Sequence, residues 1–170
     1  TLFLNAFSSI LALGITIPLG IYCAVKKKSF IDSAMQVFTI LGISIPIYIT
    51  ALVMIYLFAV LIPIFPVSGM KAPGSTLTGF EGFIEKVYYF TLPVLVATLN
   101  SMASTFRYIR AAMINELSQD YIRTARAKGV REKVVIYSHA WRNALLPVIT
   151  IIISWFTSLL GGWVMLETMF

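Results

Sequence analysis

The stretch DYIRTARAKGVREKVVIYSHAWRNALLPVIT, Asp120–Thr150, interrupts a chain that is otherwise mostly apolar. Between Arg107 and Arg142 stand eight basic residues, opposed only by Glu116, Asp120 and Glu132. An Arg or Lys at the centre of a bilayer costs about 3 kcal/mol, while a Leu returns only about 0.5. Eight such charges would cost roughly 24 kcal/mol, so this segment belongs in water at the membrane edge. It does not read as a disordered tail, because it has few loop formers and sets apolar residues at helical spacing. Ser118 or Asp120 can cap a helix start. Asp120 suits the positive end of the helix dipole, and Arg123, Arg126 and Lys128 the negative end. Gly129 supplies the left-handed residue that stops a helix. A second helix restarts near Arg131 and carries Val134, Val135, Tyr137 and Ala140 through Trp141, and Pro147 marks entry into the next apolar run. Ala125 and Ala127 leave the first helix slim, as suits a helix lying in a groove of another protein. The plainer alternative is a solvated connector facing lipid headgroups.

The rest of the chain fixes the class. Of 170 residues, 59% are hydrophobic and 12% charged, with mean hydropathy +0.89. A soluble domain usually carries about 25% charged residues, so the bilayer must be the main solvent here. The net charge of +6 sits in short connectors, which reads as a topology signal rather than a nucleic-acid surface. Four apolar runs are long enough to cross about 30 Å of hydrocarbon: 2–25, 35–62, 88–106 and 145–166. The expectation is an all-α polytopic membrane protein with four transmembrane helices. Eleven of the thirteen basic residues fall after the first run or between the third and fourth. Those connectors, including 107–144, are therefore expected in the cytoplasm. Segment 63–87, rich in Pro and Gly, is expected outside, with one short helix near Glu81–Val87. Pro18 and Pro46 should kink their helices. The first residues lack the charged start of a signal peptide. The chain has no initiator Met and ends in an apolar run, so it is expected to be a fragment. Cys23 lies alone in an apolar run and reads as a small buried hydrophobe.

The chemistry expected is transport rather than catalysis. There is no phosphate-binding G-x-x-x-x-G-K-[ST] motif. His139 is the single histidine, and no spaced set of ligands suggests a metal. No Asp, Glu, Lys, Arg or His lies inside the four runs, which argues against a coupling-ion path there. Small polar residues recur instead: Thr150, Ser154, Ser158 and Gly162 at four-residue spacing, and Thr98, Ser101 and Thr105 with Asn100 nearby. The simpler reading is close helix packing through small residues. The sharper reading is a mildly polar translocation path made by Asn100, Ser101, Thr105, Thr150, Ser154 and Ser158.

The segment YIRTARAKGVREKVVIYSHAWRNALLPVIT (121–150) resembles the cytoplasmic EAA loop of ABC-importer permeases, nearest to the oligopeptide/dipeptide/nickel branch. Gly129 and the Leu146-Pro147 pair match that loop, and Thr124-Ala125-Arg126-Ala127 replaces the usual acidic-Ala-Ala start in the manner of the peptide branch. ISIPIYI (43–49), FPVSG (65–69), TLPVLVATL (91–99), RYIRAAM (107–113) and LETMF (166–170) resemble the same branch in the same order. The resemblance implies a permease of about six helices. In it Asp120, Tyr121, Arg123, Thr124, Ala125, Arg126, Ala127, Lys128 and Gly129 form the coupling helix that docks on a separate ATPase. It also implies a second homologous permease, two cytoplasmic ATPase subunits and an extracytoplasmic solute-binding protein as partners. No cofactor is implied on this chain, because ATP is bound by the partner subunits, and the expected location is a prokaryotic cytoplasmic (inner) membrane, crossed several times. An ion-coupled secondary transporter and a non-transporting scaffold holding anionic lipid are the alternatives.

Overall fold

The structure is a computed structural model that describes residues 2–69, 71–161 and 170, with backbone alone for residue 2 and 155–161. Every regular element among these residues is helical. Helix α1, Leu2–Val25, spans the first apolar run, and Pro18 sits inside it without ending it. After α1 the chain turns through Lys28, whose φ is +62°. Ser29 then caps α2, Phe30–Ser44, by accepting the Asp32 N–H at 3.2 Å.

The second run is not one kinked helix. Pro46 has no N–H and pushes the preceding residue out of the α region. Ile45 is accordingly extended (φ −89°, ψ 121°), and α2 ends at Ser44. Helix α3, Ile47–Ile55, continues as a π-helical segment, Tyr56–Leu61, and the two halves are bent by 104°. Proline here breaks the run rather than tilting it.

Helix α4, Gly79–Leu117, has 39 residues. At about 1.5 Å per residue that is roughly 58 Å, far more than hydrocarbon requires. It absorbs the expected short helix at 81–87 and carries Arg107 and Arg110 on its final turns. Pro93 lies buried within it. Among the described residues two helices, Phe3–Val25 and Gly79–Leu117, are long and apolar enough to cross a membrane, and the bent pair makes a third if taken as one span. The fourth expected run, 145–166, extends beyond the described residues. Its described part is helix α7, Arg142–Gly161, with Pro147 inside it.

Helix α4 is the axis on which the others pack, with α1 parallel to it. Thr98 donates to the Ser8 carbonyl at 3.5 Å, and further along Gly20 lies against Ile109. A Cβ at Gly20 would stand 2.7 Å from Ile109 Cγ2, and one at Gly42 would stand 2.7 Å from Ala103 Cβ. Both glycines mark crossings where backbones approach closely. Gly20→Val should therefore overpack the α1–α4 contact and cost about 1–3 kcal/mol, read as a lower melting temperature in detergent. An unchanged melt would show that the crossing yields freely.

The core is in two parts. At one end Leu4, Ala51, Val94, Val96 and Ala97 cluster, with Phe170 packed against them. The Gly69 N–H donates to the Phe170 carbonyl at 2.6 Å, so Gly69 and residue 170 share that end. At the other end Ile21, Ala24, Met113, Ile122, Val135, Ala140 and Ala144 cluster. The lysines after α1 and the basic segment after α4 meet there.

Candidate functional site

The basic segment folds into a hairpin. Helix α5 is Asp120–Ala127. A short helix α6, Glu132–Val134, runs into a π-helical segment, Val135–Trp141, and then into α7. The cap is neither Ser118 nor Asp120. Gln119 occupies the capping position without a side-chain bond, and the Ser118 hydroxyl turns back to the Asn115 carbonyl at 2.7 Å, closing α4. Asp120 is the first helical residue and makes a long 3.5 Å pair with Arg123, both well exposed. At surface exposure such a pair contributes little.

Helix α5 ends as its glycine predicts. Gly129 has φ +75°. Its N–H donates to the Arg126 carbonyl at 2.9 Å, and the Val130 N–H reaches the Ala125 carbonyl at 3.2 Å. That double bond pattern is the Schellman stop, and the accompanying apolar contact is present, since Val130 and Ala125 pack on the same core cluster. A Cβ at Gly129 would meet nothing within 4 Å. The cost of a side chain there is backbone strain, about 1–2 kcal/mol, and not a clash.

The helix is amphipathic at i, i+3, i+4 spacing. Asp120, Arg123, Thr124, Ala127, Lys128 and Gly129 are exposed, whereas Ile122 is buried and Ala125 half-buried. Ala125 thus faces the hairpin's own core, and Ala127 faces out. Ile122, absent from the residues expected at this site, is its anchor at 0% exposure. Its signal in the sequence is a single β-branched apolar residue inside a polar octet.

Two polar contacts brace α5. Arg126 grips Glu132 with two bonds, of 3.2 and 2.7 Å. That hydrogen bond to the guanidinium holds the Glu132 carboxyl below its usual range. The Tyr121 hydroxyl donates to the Glu116 carboxylate and accepts from Asn143 Nδ2 at 2.9 Å. Partial burial first, and the Glu116 carboxylate with it, raise the Tyr121 phenol against the opposing effect of the Asn143 amide. The helix after the turn is not a plain α-helix. Val135 and Ala140, five residues apart, are both buried, and π winding (bonds from i to i+5) brings such positions toward one face.

Below the hairpin lies a contact the sequence reading passed over. Arg110 donates to both oxygens of Asp32, at 2.5 Å from Nε and 2.8 Å from Nη2. The carboxylate also accepts the Lys28 N–H at 3.0 Å and the Gln36 amide at 3.2 Å. Half of this arrangement was readable, because Ser29-Phe30-Ile31-Asp32 has capping-box spacing.

The residues expected to line a path are divided between α4 and α7. Thr98 and Thr105 are buried, Asn100 and Ser101 half-buried, and the Thr105 hydroxyl bonds back to the Ser101 carbonyl at 2.7 Å. Thr150 and Ser154 lie on an exposed face of α7, with hydroxyls turned to the carbonyls one turn back, at 3.3 and 3.0 Å. The Ser158 side chain and Gly162 lie outside the described residues. A groove of about 620 Å³ between α1 and α4 is lined by Phe3, Phe7, Phe83, Phe90 and other apolar groups with Lys86 and Thr91, and by none of the five candidates whose side chains are described. Cys23 is buried and unpaired, and among the described residues no cluster of His, Cys, Asp and Glu could hold a metal.

Sequence comparison adds to this geometry. Residues 16–170 match the family described as binding-protein-dependent transport system inner membrane component. The chain is 39% identical over 170 residues to the oligopeptide transport system permease protein AppB of Bacillus subtilis, covering 100% of this chain and 52% of that protein. It is 36% identical over 187 aligned residues to the dipeptide transport system permease protein DppB of Escherichia coli K12, covering 100% of this chain and 55% of that one. The chain thus spans about half the length of the curated relatives it matches. The match runs through the basic hairpin and most of the apolar helices that carry it, and the chain belongs to the family of binding-protein-dependent transport system inner membrane components.

Proposed function

We propose that this chain is part of the membrane pathway subunit of an ABC importer for di- or oligopeptides, and that α5 is its coupling helix. The observation that carries this reading is the exposed stripe Asp120, Arg123, Thr124 and Ala127 on a helix whose other face is locked by Ile122. A short helix so held can enter a groove of a partner without losing its own seat. The gathering of both basic connectors at one end supports a cytoplasmic position for that end. The names of the relatives support peptide as the cargo. In this reading the subunit crosses a prokaryotic cytoplasmic membrane several times. It pairs with a second homologous permease, works with two ATPase subunits that bind the ATP, and receives solute from an extracytoplasmic binding protein. Asp120, Arg123, Thr124, Ala127, Lys128 and Gly129 form the ATPase contact, while Tyr121, Ala125 and Arg126 turn to the hairpin itself and brace the helix that carries that contact. Asn100, Ser101, Thr105, Thr150, Ser154 and Ser158 remain candidates for the pathway.

Ala127→Glu in the full-length protein tests the coupling reading, since it adds bulk and charge to the exposed stripe and nothing to the core. The variant should reach the membrane at normal levels, lose ATP-driven peptide uptake and copurify with less ATPase. Normal uptake and copurification would show that α5 is only a solvated connector. Ala125→Glu is the less clean test, because its carboxylate would enter the hairpin core.

A further inference from the structure

We infer that Tyr121 is a positioning residue that yokes α5 to the two long helices beside it, so that its hydroxyl sets how fully a displacement of α5 reaches the membrane. This rests on the reading of α5 as the coupling helix. Among the described residues, the Tyr121 hydroxyl makes the only side-chain hydrogen bonds from α5 to α4 and to α7. One bond goes to Glu116, in the last turn of α4, and the other comes from Asn143, the second residue of α7. The hydroxyl is used in both directions, as donor and as acceptor, so neither neighbour can move without disturbing the other. The bond to the carboxylate is charge-assisted and strong for its kind. Tyr121 as a whole is 39% exposed, and a Phe in its place would keep that apolar surface while losing the oxygen.

The placement of the second contact gives the yoke a purpose. Helix α5 holds the helix leading into α7 at two points. Arg126 grips Glu132 before the π-helical segment Val135–Trp141, and Tyr121 holds Asn143 after it. A π segment is a stretch where a helix can change its winding by one residue, and such segments recur at functional sites. A helix that clamps both sides of such a segment can convert its own tilt into a change in winding, and hence into rotation of α7 below it. Without the Tyr121 oxygen the second clamp is lost, while the seat of Ile122 and the Arg126–Glu132 grip remain.

The experiment uses the complete transporter in proteoliposomes, with a tripeptide as cargo, and reads peptide accumulated per ATP hydrolysed. Tyr121→Phe removes only the oxygen. It should assemble with normal ATPase content and keep its basal hydrolysis, while uptake per ATP falls about tenfold, the factor that corresponds to ~1.4 kcal/mol of lost linkage. Asn143→Leu should produce a fall of the same kind, and the double variant should be little worse than either single one, as for two groups in one network. Glu116→Gln keeps an acceptor and should retain most of the coupling. A wild-type ratio of uptake to hydrolysis in Tyr121→Phe overturns the yoke. So does failure of Tyr121→Phe to assemble, since that assigns the oxygen to folding. Ala127→Glu run in parallel separates the two ideas: if it leaves ATPase binding and uptake intact, the coupling-helix reading itself is wrong.

Discussion

Arg110→Ala should destabilise the protein by about 3–5 kcal/mol, the cost of stranding a buried charge by removing one partner of its pair. The Asp32 side chain is 0% exposed and that of Arg110 21%, so the carboxylate is the group left without water. It would keep the Lys28 N–H and the Gln36 amide as donors, but no opposite charge. Asp32→Asn should cost less, because Arg110 can reach water and an amide still accepts hydrogen bonds. Replacing both residues together, Asp32→Asn with Arg110→Met, should recover much of the loss, because a buried pair is weak as a net source of stability and expensive to half-remove. Thermal melts of the three variants in detergent would check the order. If Arg110→Ala melts with the wild type, the pair is solvated and α2 and α4 are not locked at this end.

That pair also shows what the sequence could not carry. Asp32 and Arg110 are 78 residues apart, and no periodicity links them. Local rules offer a signal for one side of the arrangement only, the capping spacing of Ser29 and Asp32, which the sequence reading passed over. Where the physics is local, the structure follows the reading: the helical class, the bounds of α1, and the stop at Gly129 with its positive φ. Where tertiary packing decides, it departs. Pro46 shows that the second run must be interrupted, but the 104° bend is a matter of how α2 and α3 settle on α4, with Gly42 against Ala103. A hydropathy rule ends the third run near Arg107. Helical hydrogen bonding is indifferent to side-chain charge, so α4 continues to Leu117. The pathway candidates share a different weakness, since four-residue spacing of small polar groups serves helix packing and a polar lining equally well. Thr98 reaches across to the Ser8 carbonyl on α1, which is the packing use.

Ile122→Ala should release α5 from its seat, with a local cost of about 2–5 kcal/mol. An isolated helix shorter than about 12–15 residues is marginal in water, and α5 has eight residues. Its order must therefore come from tertiary contact, and Ile122 is its only fully buried residue. Ala125 and Val130 add partial contacts to the same cluster, too little to hold the helix alone. The loss should be confined to the hairpin, because α5 can open while α1 and α4 stay packed along their length, and such sub-global opening costs less than unfolding the whole. A melt is thus the wrong instrument. Amide hydrogen exchange over 120–130 should accelerate by about thirtyfold or more, since each ~1.4 kcal/mol is a factor of ten, while amides in the buried stretch 92–106 of α4 stay protected. Ala127→Glu, on the exposed face, should leave exchange at 120–130 as it is in the wild type. The two variants then part the seat of the helix from its docking face: both should lose ATP-driven uptake, but only Ile122→Ala should lose the helix. Wild-type exchange in Ile122→Ala would mean that α5 is held by something other than the core beneath it.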